Sequence, residues 1–326
     1  MPGTDALALL GTALAVSAPT FGWVVAGLAL RRLGLLTEPV ITRVSQLAFR
    51  FGLPTMLFAS AARVDYSTLG SAVYLLAGAL ATLLTLALAW QYSRWRGHPR
   101  PLQGIFVQAS FRSNLAIIGI ALAVSAYGEQ GLVLAAMPVA LLTVLYNVLA
   151  VWVLNATLGA GASIGALLGG IARNPLIIGI SAGVALAVSG LPVPGFVAPL
   201  GAAMSWFFLP LMLLCIGGAM QLAKLRSTGP VQWQVAWEAT AWRLCVGPLL
   251  AVLLAMALGV RDVPLGVLFL LMSSPVAAAS FVMVVAAKGD GVLAANIVVL
   301  TTLLSIITVT AGFFLLTLFS LAGHPG

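Results

Sequence analysis

The sequence predicts an all-α polytopic membrane protein, with about ten transmembrane helices in two inverted halves. Three observations predict it. Hydrophobic residues make up 62% of the 326 residues and charged residues only 7%. The apolar runs are long and continuous, without the alternation of a barrel strand. Matching spacings recur in the two halves of the chain.

Composition comes first. A soluble domain carries about 25% charged residues. With 7% this chain could not cover a water-facing surface, and its mean hydropathy of +1.14 agrees. In lipid every backbone N–H and C=O must be paired internally, so a chain without barrel alternation crosses as helices. The formal charge of +8 does not signal nucleic acid, because the basic residues sit in short loops between apolar runs. Cys215 and Cys245 both lie inside apolar runs, and His98 and His324 lie in a loop and in the tail, so neither a disulfide framework nor a metal cluster is expected.

The expected spans are roughly 7–29, 40–62, 71–92, 102–125, 131–157, 166–189, 197–221, 235–259, 264–287 and 292–321. Asp5 is the only charge before Arg31, so the first apolar run lacks a basic leader and reads as a retained span. Odd-numbered loops hold ten basic residues: Arg31, Arg32, Arg43, Arg94, Arg96, Arg100, Arg173, Lys224, Arg226 and Lys288. Even-numbered loops hold two, Arg63 and Arg261. This bias places the odd loops in the cytoplasm and both termini on the other side.

The repeat rests on two spacings. Gly34-Leu35 precedes Leu53-Pro54 as Gly190-Leu191 precedes Leu209-Pro210. Ser113-Asn114 precedes Gly128-Glu129 as Ser274-Pro275 precedes Gly289-Asp290. The expected units are 1–158 and 166–322, joined by the Gly- and Ala-rich stretch Gly159 to Gly170. Five spans per unit is an odd number, so the second unit enters upside down, as in many secondary transporters.

The candidate site lies where spans four and nine are interruptible. Span four carries Arg112, Ser113 and Asn114 at its centre. Span nine carries Ser273, Ser274 and Pro275. Proline removes a backbone donor, and Ser and Asn offer the backbone competing hydrogen bonds. Paired interruptions in two halves point to a transport site, with half-helix N-termini aimed at the midplane. An arginine there costs about 2.5–3.5 kcal/mol on insertion scales and needs an anion, water or a partner. Arg112 therefore reads either as an anion site or as a snorkelling side chain or partner of Glu238. Asn147 and Asn296 are single amides in apolar helices. They read either as site residues or as interhelical hydrogen bonds. Arg50 reads mainly as snorkelling, and Arg243, with Glu238 and tryptophans nearby, as structural.

Other patterns have plainer readings. Pro54 and Pro210 kink the scaffold. Gly179 and Gly183 form a helix-packing pattern, and Trp233, Trp237 and Trp242 an interfacial belt. Gly161-Ala-Ser163-Ile-Gly165 has the letters of a nucleophile elbow but no strand–turn–helix setting.

Three segments together resemble the auxin efflux carrier family, which includes plant PIN proteins and bacterial malate or malonate permeases. They are Arg31-Arg-Leu-Gly-Leu-Leu with Leu53-Pro-Thr-Met-Leu-Phe58; Phe111-Arg-Ser-Asn-Leu-Ala-Ile-Ile-Gly119; and Ser274-Pro275 with Lys288-Gly-Asp290 and Leu303-Leu-Ser305. The resemblance implies a fold like the bile-acid sodium symporters, with broken helices four and nine crossing. It implies a panel domain from 7–62 and 166–221 and a core transport domain from 71–157 and 235–321. It also implies organic-anion transport by an elevator-like motion. The family's proline after the glycine matching Gly119 is missing here, which predicts a milder first break. No Asp or Glu lies between Pro264 and Lys288, where the symporters hold a sodium-binding carboxylate.

The functional expectation is a permease of the cell membrane moving a small organic anion, a carboxylate, through Arg112, Ser113, Asn114, Ser273, Ser274, Pro275, Asn147 and Asn296. A sodium- or proton-coupled symporter and a channel are the alternatives, and an enzyme using Ser163 is a distant third. The expected partners are the anion and the lipid bilayer, with a homodimer as the candidate assembly. No nucleic acid, cofactor or metal is expected.

Overall fold

A computed structural model describes residues 6–63, 72–159, 172–220 and 229–323, with residues 165 and 169. Ser163 and the loop residues Lys224 and Arg226 lie outside the described residues.

The described chain is helical throughout, and its helices follow the apolar runs. The first is α1 (Ala6–Arg32). Next, α2 (Glu38–Leu47) continues through a π-helical turn at Ala48–Gly52 into α3 (Leu53–Ala61). Pro54 cannot donate to the Arg50 carbonyl, and the helix widens in the turn before it. Then come α4 (Ala72–Trp95) and α5 (Arg100–Phe111). A π-helical turn at Leu115–Gly119 leads into α6 (Ile120–Leu158).

Among the described residues six segments are long and apolar enough to cross a membrane, and the chain is a multi-pass membrane protein. One of them, Leu115–Leu158, is 44 residues long, about 66 Å at 1.5 Å per residue and twice a bilayer core. Gly128 divides it, with φ 55° and ψ −133° inside α6. A residue with a Cβ is strained at those angles, so the sequence bends at its glycine.

The second half of the chain comprises α7 (Pro175–Val188), α8 (Val197–Ala219) and α9 (Pro230–Ala241). A π-helical turn at Trp242–Val246 joins α9 to α10 (Gly247–Ala257). The rest is α11 (Asp262–Ser273), α12 (Ala278–Ala286) and α13 (Gly291–Leu318). Gly34 and Gly190, the paired glycines of the sequence repeat, both take left-handed angles just beyond a helix, with φ 77° and 71°. In the later pair the left-handed residues are Gly128 and Lys288, one position out of step with the repeat.

Helices α1, α2, α3, α7 and α8 pack on one another, with α1 also packed along α13 and α6, while α4, α5, α6 and α9 to α13 surround the interruptions. Small residues permit the first set to close up. A Cβ at Gly179 would come 2.5 Å from the Pro54 carbonyl oxygen, and one at Gly183 the same distance from that of Phe58. In the second set, Leu102 to Phe111 of α5 and Leu265 to Ser273 of α11 are buried without a gap. Helices apolar on all sides belong inside a bundle. Only there can the backbone leave the helix at membrane depth without facing lipid.

Candidate functional site

Both interruptions are complete. Helix α5 ends at Phe111; Arg112 takes extended angles of φ −87°, ψ 91°, and Asn114 is also non-helical at φ −82°, ψ 68°. The polar run Arg112-Ser113-Asn114 interrupts the helix by trading helical hydrogen bonds for bonds across the crossing. Helix α11 ends at Ser273, and α12 begins at Ala278.

The two extended stretches cross as a single antiparallel bridge between Ser113 and Val276. The Asn114 N–H donates to the Pro275 carbonyl at 2.7 Å, and the Ala277 N–H to the Arg112 carbonyl at 3.2 Å. The Val276 N–H finds the Thr301 hydroxyl of α13 at 3.2 Å. Buried peptide groups need such partners, because an unpaired one costs about 1–3 kcal/mol.

Arg112 is 6% exposed. Its Nη1 donates to the Tyr146 carbonyl at 3.2 Å and its Nη2 to Asn147 Oδ1 at 2.9 Å. Its Nε has no hydrogen-bond partner. The side chain neither snorkels nor meets Glu238. That carboxylate instead bonds Arg96 and His98, each at 2.9 Å, and Gln234 at 2.9 Å. Glu129 pairs with Arg63, and Glu38 lies 3.6 Å from Arg31. Among the described residues, Arg112 has no carboxylate partner.

A cavity of about 310 Å³ opens beside it. It is lined by Arg112, Ser113 and Asn114, by Thr143, Tyr146 and Asn147 of α6, and by Asn174 at the head of α7. Leu115 to Ile117 and Ala277 to Ala279 complete the wall. These last two stretches begin the half-helices after each break. The first N–H groups of a helix have no intrahelical acceptor and carry about +0.5 of charge. The wall thus combines one guanidinium, two positive helix ends and several neutral hydrogen-bonding groups, without a carboxylate. Such a surface favours an anion.

Four of the residues singled out in the sequence come together here: Arg112, Ser113, Asn114 and Asn147. Ser273, Ser274, Pro275 and Asn296 are not among the lining residues. The Ser273 and Ser274 hydroxyls turn back onto the carbonyls of Leu270 and Leu271. Pro275 contributes its carbonyl to the crossing, and Asn296 is buried within α13. Tyr146 escaped the sequence reading although it touches everything. Its carbonyl holds Arg112, and its hydroxyl sits 2.9 Å from Ser113 Oγ and donates to Met272 Sδ at 3.5 Å. Its only sequence signal was its place beside Asn147. Asn174 was legible in principle, since Asn before Pro is a helix-start pattern. Its side chain caps α7 by accepting from the Leu176 N–H at 2.9 Å.

Residues 162–312 match a family model described as membrane transport protein. The match covers a little under half of the chain. The matched family includes the auxin efflux carriers and PIN-like permeases. The match contains the second interruption and Arg243 but stops short of Arg112 in the first half. No curated protein matches the chain.

A second cavity of about 470 Å³ adjoins the first through Ile117 and Ala278. Apart from Thr42, Ser45, Cys215 and Thr302 its walls are apolar, from α8, α12 and α13. It is larger than the polar cavity but holds no charged group.

Proposed function

We propose that the protein is a permease of the cell membrane that moves a small organic anion, a carboxylate, held at the crossing of the two interrupted helices. The carrying observation is Arg112. A buried guanidinium with two neutral partners, no carboxylate and a free Nε beside a cavity retains capacity for an anion. A buried cation left unpaired is costly, and a bound carboxylate would offset that cost. Asn147 orients the guanidinium, and Ser113 and Asn114 offer side-chain hydrogen bonds. The cavity stands at the small end of ligand sites, about 300–1,000 Å³, which suits a small organic acid. Ser273, Ser274 and Pro275 act through the backbone of the second break, and Asn296 through packing of α13.

In this reading the ten helical passes form a 5+5 inverted repeat, with both termini outside the cytoplasm. The set of α1, α2, α3, α7 and α8 is the panel, against which the remaining helices carry the site in an elevator-like movement. The close Gly179 and Gly183 contacts within the first set support a rigid panel. No catalytic chemistry is assigned.

The test is thermal stability of detergent-purified protein in small carboxylates, amino acids and neutral solutes, repeated on Arg112→Ala. A ligand at a hundred times its dissociation constant stabilises the folded state by about 2.7 kcal/mol. Stabilisation by carboxylates alone, lost in the variant, is the expected result. Saturable, counterflow-competent flux of that carboxylate in proteoliposomes then separates a carrier from a channel. Stabilisation only by cations or neutral solutes would end the anion reading.

A further inference from the structure

A second arginine lies at the same crossing and meets no cavity. Arg243 is 0% exposed and projects from the π-helical turn between α9 and α10. Pro248 follows five residues later and cannot donate to the Leu244 carbonyl, which leaves the preceding turn wide. The guanidinium reaches the ends of both interrupted helices at once. Nη1 donates to the Phe111 carbonyl at 2.8 Å and to that of Ser110 at 3.4 Å, at the end of α5. Nη2 donates to the Met272 carbonyl at the end of α11. Among the described residues no carboxylate pairs with it.

The electrostatics explain why a cation is needed there. The last four carbonyls of a helix lack intrahelical donors, and each helix end carries about −0.5 of charge. Two such ends converge inside the bundle, out of reach of water. Together they amount to about −1, which one guanidinium balances. Their carbonyls also need donors, and Arg243 supplies N–H groups to three of them.

We propose that Arg243 is a positioning residue that acts as a tethered counter-cation. It fills the place between the C-terminal ends of α5 and α11 that a bound alkali cation would otherwise have to fill, and so holds the anion-binding face in shape without one. The positive ends of the half-helices are then left free to face the cavity beside Arg112. The part of the proposal that concerns the cavity rests on the anion reading; the cation role of Arg243 does not.

The experiment compares melting of the unliganded, detergent-purified protein in sodium chloride, potassium chloride and N-methyl-D-glucamine chloride at equal ionic strength. Wild type should melt at the same temperature in all three. Arg243→Met should melt lower in the glucamine salt and recover by about 3 °C or more in sodium or potassium, as a small cation enters the vacated place. Arg243→Lys should fold and stay insensitive to the salt. A wild type that needs sodium, or an Arg243→Met variant that melts like wild type or that no cation restores, overturns the proposal. If Arg243→Met does not fold, Arg243→Lys decides: salt-insensitive folding supports the tethered cation, and failure to fold or a new sodium requirement overturns it. Carboxylate titrations of wild type in the sodium and glucamine salts keep the two readings apart. Equal stabilisation in both supports both readings, and stabilisation only with sodium overturns the tethered cation. Stabilisation in neither removes the anion site and leaves the salt result on the unliganded protein to judge Arg243.

Discussion

Arg112 and Arg243 are the same residue type at the same crossing, and the structure uses them in opposite ways. Arg112 faces a cavity, bonded to one carbonyl and one amide, with its Nε unbonded. Arg243, whose Nε is likewise unbonded, is sealed away from any cavity, and its terminal nitrogens are spent on carbonyls that close two helices. Each half-helix pair has a negative and a positive end, and the two arginines stand on different ends. On the negative side a guanidinium balances the charge of the two helix ends. On the positive side it adds to the charge, which in the proposed reading an anion balances. The lesson is that burial of a charge does not by itself mark a binding site; what matters is whether its neighbours already balance it.

The sharpest way to break the comparison is to remove Arg243. Arg243→Met leaves three buried carbonyls without their donor and should lower the free energy of unfolding in detergent by about 3–5 kcal/mol. A loss below about 1 kcal/mol would mean that the two arginines are interchangeable surface-like groups. Arg112→Ala should instead leave the melting temperature within a few degrees of wild type. It should weaken carboxylate binding by about a hundredfold, roughly the 1.5–3 kcal/mol of a charged hydrogen bond; isothermal titration measures it. If that variant lost stability as severely as Arg243→Met, Arg112 too would be a structural group.

Smaller changes sharpen the contrast. Tyr146→Phe keeps the carbonyl that holds Arg112 but removes the hydroxyl shared by Ser113 and Met272. A cost of about 1 kcal/mol in stability is expected, with a several-fold loss of carboxylate affinity through Ser113, read from denaturation and titration of the same sample. Glu238→Gln should be the mildest. It weakens the bridge to Arg96 and His98, and carboxylate affinity should stay within a factor of about two, because this carboxylate touches neither buried arginine. A tenfold change in affinity would show that Glu238 balances charge at the crossing after all.

Much of the architecture was legible in advance because it depends on periods and composition. Residues 102–125 and 264–287 were expected as spans with central interruptions, and the helices do break at Arg112–Asn114 and Ser274–Ala277. The polar run and the proline carry that information locally. The cavity was legible in part. Arg112, Ser113, Asn114 and Asn147 were visible as polar groups in apolar helices, but Tyr146 was not, because a tyrosine in an apolar helix is unremarkable until its partners are known. Ser273 and Ser274 looked like ligands from their spacing, whereas their hydroxyls bond back within α11. Side-chain direction at a break depends on the angles of the residues leaving the helix, and spacing alone does not contain them.

The sequence by itself determined that this chain lives in lipid, as helices, with two weak points in matching places. That follows from the free energy of apolar surface in a bilayer and from which residues can complete a helical hydrogen-bond ladder, both properties of short stretches of chain. Only the tertiary structure decided which arginine faces a cavity and which is enclosed between two helix ends. Phe111 and Met272 are the carbonyls that hold Arg243, and they lie 132 and 29 residues from it along the chain. An electrostatic environment is a sum over neighbours in space, and the fold chooses those neighbours.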